Sequence, residues 1–457
     1  MGGNIKLSLR RRADVNMTEG NIFGHILTFA FPLLLGNLFQ QFYNTVDTWV
    51  VGNYVSKEAF AAVGNVGPII NMLIGFFLGF SSGAGVVISQ YYGAQDHEKV
   101  KKTVHTSITL TLIIGVVLTV IGIVMIPFML RFMKMPQDAF GEAVTYLTIY
   151  FSGLISMLLY NLGAGILRAV GDSQRPFYFL VVSALLNTAL DLVFVLAFGM
   201  GVEGVAIATV IAQTVSAILC FDVLFRTSSC VRVAVKDLGI DRESTGKIVR
   251  VGIPTALQMT ITSFSNVFVQ SYVNHFGTDC MAGWTAYAKL DAFLFLPMQS
   301  ISIAVTTFVG QNLGKNDVER AKKGVNVAMI MSFVSTLIIM LPMIIFAPNF
   351  VWFFNKNPNV IEYGTLFLRY ITPFYIICCV NQIYSGALRG AGNTRAPMLI
   401  MLASFVFFRQ GYLFITANYI SNTILPIAMG YPAGWLVCSL INFIYYRKVD
   451  LAKTRIV

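Results

Sequence analysis

A chain of 457 residues with 56% hydrophobic and only 12% charged side chains carries about half the charged fraction of a soluble domain. That much apolar surface excludes a water-soluble globule, so part of the solvent is lipid. The net charge of +11 does not point to nucleic acid, because the basic residues flank apolar stretches in the manner of cytoplasmic loops. The six cysteines show no metal spacing, and only Cys280 falls in a loop placed outside, which argues against an external disulfide.

Residues 1–21, with Lys6, Arg10, Arg11 and Arg12, read as a cytoplasmic tail. The apolar run from Ile22 to Val51 is too long for a signal-peptide core and reads as a retained first helix. Further spans fall near 60–90, 104–130, 143–166, 177–198 and 204–225, closing an N-terminal six-helix lobe over 22–225. A polar, basic linker occupies 226–247. A C-terminal six-helix lobe over 248–446 holds spans near 248–274, 281–309, 325–347, 364–388, 397–420 and 424–446, and a tail covers 447–457. The fold class is therefore an all-α membrane protein of twelve transmembrane helices. The runs 60–90 and 281–309 exceed what a perpendicular crossing needs and predict tilt or extension past the lipid. With the N-terminus inside, 25 of the 32 Lys and Arg lie on inner segments, against four (Lys57, Arg131, Lys134 and Lys356) outside. That bias predicts a multi-pass membrane protein with both termini cytoplasmic.

The two sets of six are copies at an offset of 221 residues. Gln90, Gly93, Asp96 and Glu98 recur as Gln311, Gly314, Asp317 and Glu319; Leu167, Arg168, Gly171 and Pro176 recur as Leu388, Arg389, Gly392 and Pro397. An even number of spans per copy predicts a pseudo-two-fold axis along the membrane normal, with substrate between the lobes near the midplane. The loops Arg168–Pro176 and Arg389–Pro397 read as structural turns: a glycine able to take positive φ, then a proline that opens the next helix.

A charge at the bilayer centre costs about 2.5–3.5 kcal/mol even on lenient scales, so the few deep polar residues are informative. The first span holds Asp47, with Gln41 and Tyr43 just before it, and the fifth holds Asn187 and Asp191, an i,i+4 pair on one face. Thr209 of the sixth could add an oxygen. One reading is a polar knot that merely closes the lobe. The other is a cation site, in which two carboxylates held close exchange a proton for Na⁺ or a cationic cargo. The copies of Asn187 and Asp191 are Phe408 and Tyr412, and Asp47 maps to Phe268 or Val269. The second half keeps the frame without these groups, which favours the cation site. In the second half Lys289 and Asp291 lie two residues apart on different faces, with Arg369 and Arg409 as distant partners; cargo contact and structural pairing both remain open for them. No catalytic or zinc motif and no Walker A sequence is visible, so a non-enzyme driven by an ion gradient is expected, with no cofactor beyond H⁺ or Na⁺.

The set Pro32, Tyr43-Asn-Thr-Val-Asp-Thr-Trp-Val-Val-Gly52, Gln90-Tyr-Tyr-Gly93, Leu167–Pro176, Asn187 with Asp191, and Arg389–Pro397 resembles the multidrug and toxic compound extrusion (MATE) family, and its DinF-like bacterial branch, over about residues 15–446. The resemblance implies export of organic cations or other xenobiotics against H⁺ or Na⁺ entry. It places the coupling cation, with Na⁺ as the candidate metal, at Asp47, Asn187, Asp191 and Thr209, and the protein in the bacterial cytoplasmic membrane. Some relatives carry acids in the seventh and tenth helices; here the seventh has none and the tenth only Glu362 near its outer end. Gln41, Tyr43, Asp291, Lys289 and Arg409 are candidate cavity residues. The expected partners are a small-molecule substrate, lipophilic cations first, and membrane lipid, with the protein a monomer. A flippase for a lipid-linked precursor is the alternative, carried by Lys289, Arg369 and Arg409 as contacts for a phosphate head group.

Overall fold

The computed structural model describes residues 16–55, 57–132, 135 and 137–457. Its first half contains α1 (Ile22–Tyr54), α2 (Lys57–Gly93), α3 (His97–Phe132), α4 (Gln137–Ser152), α5 (Leu154–Ala169), α6 (Gln174–Leu192) and α7 (Val202–Arg226). The second contains α8 (Arg242–Asn274), α9 (Thr278–Gly314), α10 (Val318–Ile345), α11 (Ala347–Phe354), α12 (Pro358–Ile371), α13 (Tyr375–Gly390), α14 (Arg395–Met401), α15 (Arg409–Ile415), α16 (Ile424–Ala428), α17 (Gly430–Lys448) and α18 (Leu451–Thr454). The described residues form no strand, as expected where every backbone polar group must be satisfied within its own segment.

Among the described residues ten helical stretches are long and apolar enough to cross a membrane, and α4 with α5, bent by 46°, makes an eleventh. The helix at the seventh expected span, α8, is 33 residues long but is striped with Thr255, Gln258, Thr262, Asn266 and Gln270 and is not among those stretches. It begins at Arg242, inside the stretch expected to be linker. The over-long pair α2 and α9 have 37 residues each, about 55 Å of helix at 1.5 Å per residue, which meets the expectation of tilt or extension.

The repeat holds down to single hydrogen bonds. Asp96 accepts from the Lys99 N–H (3.1 Å) and its copy Asp317 from the Arg320 N–H (2.9 Å), each satisfying a free donor in a helix's first turn. Gln95 and Asn316, again copies, both sit at positive φ (57° and 68°). The expected glycines do so too, Gly171 at 91° and Gly392 at 87°. Ser81 Oγ donates to the Asn161 carbonyl and Ser302 Oγ to that of Gln382, at 2.8 Å in both lobes. The fourth and tenth spans break at equivalent places, one at Gly153 and the other at Thr372–Phe374, which contains Pro373.

The lobes interlock at the face that carries both chain ends. The first turns of α1 bury Ile26, Phe29 and Ala30 among Ile301, Ala304 and Phe308 of the second lobe. Reciprocally, the first turns of α8 bury Ile248 and Val251 among Phe80, Val87 and Tyr91 of the first. Between them α2 and α8 run antiparallel with their backbones in close approach. A Cβ on Gly79 would fall on the Ala256 backbone and one on Gly83 on that of Gly252, while at Gly75 the Met259 Cβ leaves 3.5 Å. In lipid no hydrophobic force drives one helix onto another, so close packing of small residues supplies the attraction. Gly75, Gly79 and Gly83, at successive i,i+4 steps, are such a stripe.

Candidate functional site

In the first lobe, α6 presents Asn187 and Asp191 one turn apart, and both are buried (2% and 0% exposed). Asn187 Nδ2 reaches Thr209 Oγ1 of α7 at 3.5 Å, and that hydroxyl donates to the Val205 carbonyl at 3.0 Å. Asn187 Oδ1 has no hydrogen-bond partner among the described residues, so an oxygen acceptor is buried here without a donor, which suits a cation. Directly after Asp191 the helix widens into a π-helical turn, Val193–Ala197, an irregularity frequent at functional sites. Three of the four residues expected to hold the coupling cation thus converge. The fourth, Asp47, falls on α1, and its side chain lies outside the described residues, as do those of Asn44, Thr48 and Trp49. Gln41 is exposed and Tyr43 half-buried on the same helix.

The second lobe holds a cavity of about 270 Å³ whose lining includes Asp291, Arg409, Trp284, Tyr431 and Trp435, together with Thr262, Asn266 and Gln270 from α8. Asp291 and Arg409 face this one space without pairing. Asp291 accepts from the Tyr287 hydroxyl at 3.1 Å. Arg409 donates through Nη2 to Ser265 Oγ (2.6 Å) and Asn266 Oδ1 (2.9 Å). Its guanidinium lies over the rings of Phe405 and Tyr431, at 5.2 and 4.8 Å from the centroids, a cation–π sandwich that offsets part of its burial. A π-helical stretch, Leu402–Phe408, immediately precedes Arg409. Its equivalent in the first lobe, residues 181–187, is ordinary α-helix. The extra residue per turn re-aims Arg409, and Gly434 makes room for it, since a Cβ there would meet Arg409 Cδ at 3.2 Å.

The other candidates do not join this cavity. Lys289 is exposed on α9 and Arg369 exposed on α12, and neither lines it; nor do Gln41 and Tyr43. Among the described residues Asp291 forms no ion pair with Arg409 or Arg369, the two partners open to it from sequence. Asp222 and Arg226 form a surface ion pair at 2.7 Å. Sequence reading passed over the aromatic wall and the stripe Thr262, Asn266 and Gln270. The i,i+4 spacing of those three polar residues in a membrane span was the available signal.

A family model described as MatE matches residues 32–193 and 254–409, one block in each half. A Bacillus subtilis protein described as "Probable multidrug resistance protein YoeA" is 30% identical over 440 residues, covering 94% of this chain and 95% of the relative. A Thermotoga maritima protein described as "Probable multidrug resistance protein NorM" is 26% identical over 427 residues, covering 92% and 91%. A solved transporter of the MOP superfamily from Pyrococcus furiosus superposes with a TM-score of 0.90 at 24% identity, covering 96% of this chain and 98% of that one. Family model, relatives and fold agree: the chain is a membrane transporter belonging to the MatE (MATE) family.

Proposed function

We propose that the protein exports small organic molecules, lipophilic cations foremost, in exchange for H⁺ or Na⁺, by alternating access of its two lobes. The bias of basic residues supports a location in the bacterial cytoplasmic membrane with the face bearing both chain ends in the cytoplasm. The observation that carries the reading is the division of labour between copies of one frame. The first lobe brings the buried Asn187 and Asp191 of α6 beside Thr209 of α7, and the proposal adds Asp47 of α1 to them as the second acid of the coupling site. The second, where Asn187 and Asp191 are replaced by Phe408 and Tyr412, opens instead an aromatic cavity whose wall holds the acid Asp291 and the guanidinium of Arg409, the latter already engaged by Ser265, Asn266 and two rings. An oxygen cluster suits a hard cation or a proton; an aromatic wall whose acid, Asp291, is not paired with the engaged Arg409 suits a flat organic cation.

The test is dye efflux in proteoliposomes with H⁺ and Na⁺ gradients imposed separately. Efflux driven by one of them is expected, and no gradient-dependent efflux of any organic cation would overturn the reading. Within it, Asp291→Asn is expected to weaken cationic cargo binding about 10–100-fold, the equivalent of one hydrogen bond to a charged group, while leaving the choice of driving ion unchanged. Binding titration of a fluorescent cation checks it. The flippase alternative needs Lys289, Arg369 and Arg409 to act together on a phosphate; only Arg409 lines the cavity, and it is committed to Ser265, Asn266 and two rings.

A further inference from the structure

The copied glutamines Gln90 and Gln311 are each fully buried, and each reaches across the seam. Gln90 Nε2 donates to the Gly390 carbonyl at the end of α13 (2.8 Å), and Gln311 Nε2 donates to the Ala169 carbonyl at the end of α5 (2.9 Å). The two bonds are one bond repeated about the pseudo-two-fold axis. Each glutamine is in turn held at its other atom by a terminal stretch of chain. Gln311 Oε1 accepts from the Met17 N–H (3.0 Å), and Gln90 Oε1 from the Ile456 N–H (2.8 Å). The backbones pack as closely as the side chains, since a Cβ on Gly93 would overlap the Gln311 carbonyl and one on Gly314 that of Gln90.

The two straps are anchored differently. The Met17 side chain is buried in the second lobe, and its carbonyl accepts from Asn312 and Arg320. Glu19 pairs with Lys315 at 2.8 Å, which holds the exposed Glu19 carboxyl below its ordinary range. The other strap spans the seam. Leu451 is buried in the second lobe and Arg455 donates to Asn316 there (2.7 Å), whereas Ile456 and Val457 pack on the hydrophobic core of the first.

We propose that Gln90 and Gln311, each seated by a terminal strap, form a two-fold latch that holds the cytoplasmic face closed, and that both must let go before the lobes can part there. This rests on the two-lobe transporter reading. A glutamine amide suits the task because it donates across the seam and accepts from the strap at once without adding charge. Residues whose only duty was to pack within one lobe would bond within it; these bond outside it in both copies.

The test places spin labels at Glu98→Cys and Lys322→Cys, exposed on opposite lobes at this face, in a background lacking Cys230, the remaining native thiols being buried. The unmodified latch should give mainly the short distance. Gln90→Ala with Gln311→Ala should raise the ratio of open to closed molecules about tenfold or more, as expected for loss of several buried hydrogen bonds. Ile456→Pro removes the N–H that seats Gln90 together with the strap's side-chain contact on the first lobe, and alters no residue within either lobe. It should shift the ratio the same way by a smaller factor and guards against misfolding of the double variant. Unchanged distances in both variants would overturn the latch. Absence of transport by the unmodified protein would instead overturn the proposed function, with the distance result still standing.

Discussion

Asp191→Asn is expected to abolish ion-driven efflux while the protein still inserts and folds. The substitution keeps the shape of the side chain, and residue 191 lies inside the lobe at 0% exposure, so its effect reports on charge. A carboxylate at this depth is expensive to keep, and the proposed cation beside it would offset that expense. Breaking such a buried charge interaction costs about 3–5 kcal/mol, more than a 100-fold loss of ion occupancy. Asn187 lies beside the same proposed cation, so Asn187→Leu should follow the same direction with a smaller loss. The measurement is gradient-driven efflux in proteoliposomes beside the binding of a cationic dye without a gradient. Efflux should fall to background with dye binding retained, because the dye's proposed contacts are in the other lobe. Unmodified efflux from Asp191→Asn would remove the first lobe from the coupling mechanism.

The frame and the candidates for a first-lobe site were legible from sequence because membrane insertion makes both conspicuous. A span must be continuous and apolar, and a deep carboxylate stands out against it, so Asp47, Asn187 and Asp191 could be singled out. The loops were legible from turn chemistry, and Gly171 and Gly392 adopt the positive φ expected of them. The contacts between copies were not. Gln90 and Gln311 were visible only as markers of the repeat, because a residue's partner across a seam is set by how two lobes dock, which leaves no periodicity in either strand of sequence. The cavity was hidden for a similar reason: most aromatic residues of such a chain pack against one another or face lipid, and nothing in their spacing separates Trp284 or Tyr431 from the rest. The π-helical turn before Arg409 has no sequence rule behind it either.

The glycine stripe of α2 carries the second large effect. Gly83→Leu is expected to prevent the cytoplasmic seam from closing. The atoms facing Gly83 are the Gly252 backbone itself, Cα and N, and backbone cannot turn aside as a side chain can, so the helices must separate. Overpacking of this kind costs about 1–3 kcal/mol, which lowers the ratio of closed to open molecules by about 10–100-fold. The step from Gly79 to Gly83 is one helical turn, so Gly79→Leu should act in the same direction and the pair more strongly. Gly141→Ala is the control, since no atom lies within 4 Å of a Cβ there. Thiol labelling from the cytoplasmic side at Ser89→Cys, buried at 1% exposure beside the seam, reads the opening. It should accelerate in Gly83→Leu and stay slow in Gly141→Ala. Equal labelling rates in both would mean that α2 and α8 can move apart without opening this face. The closed state would then rest on the glutamine bonds and terminal straps alone.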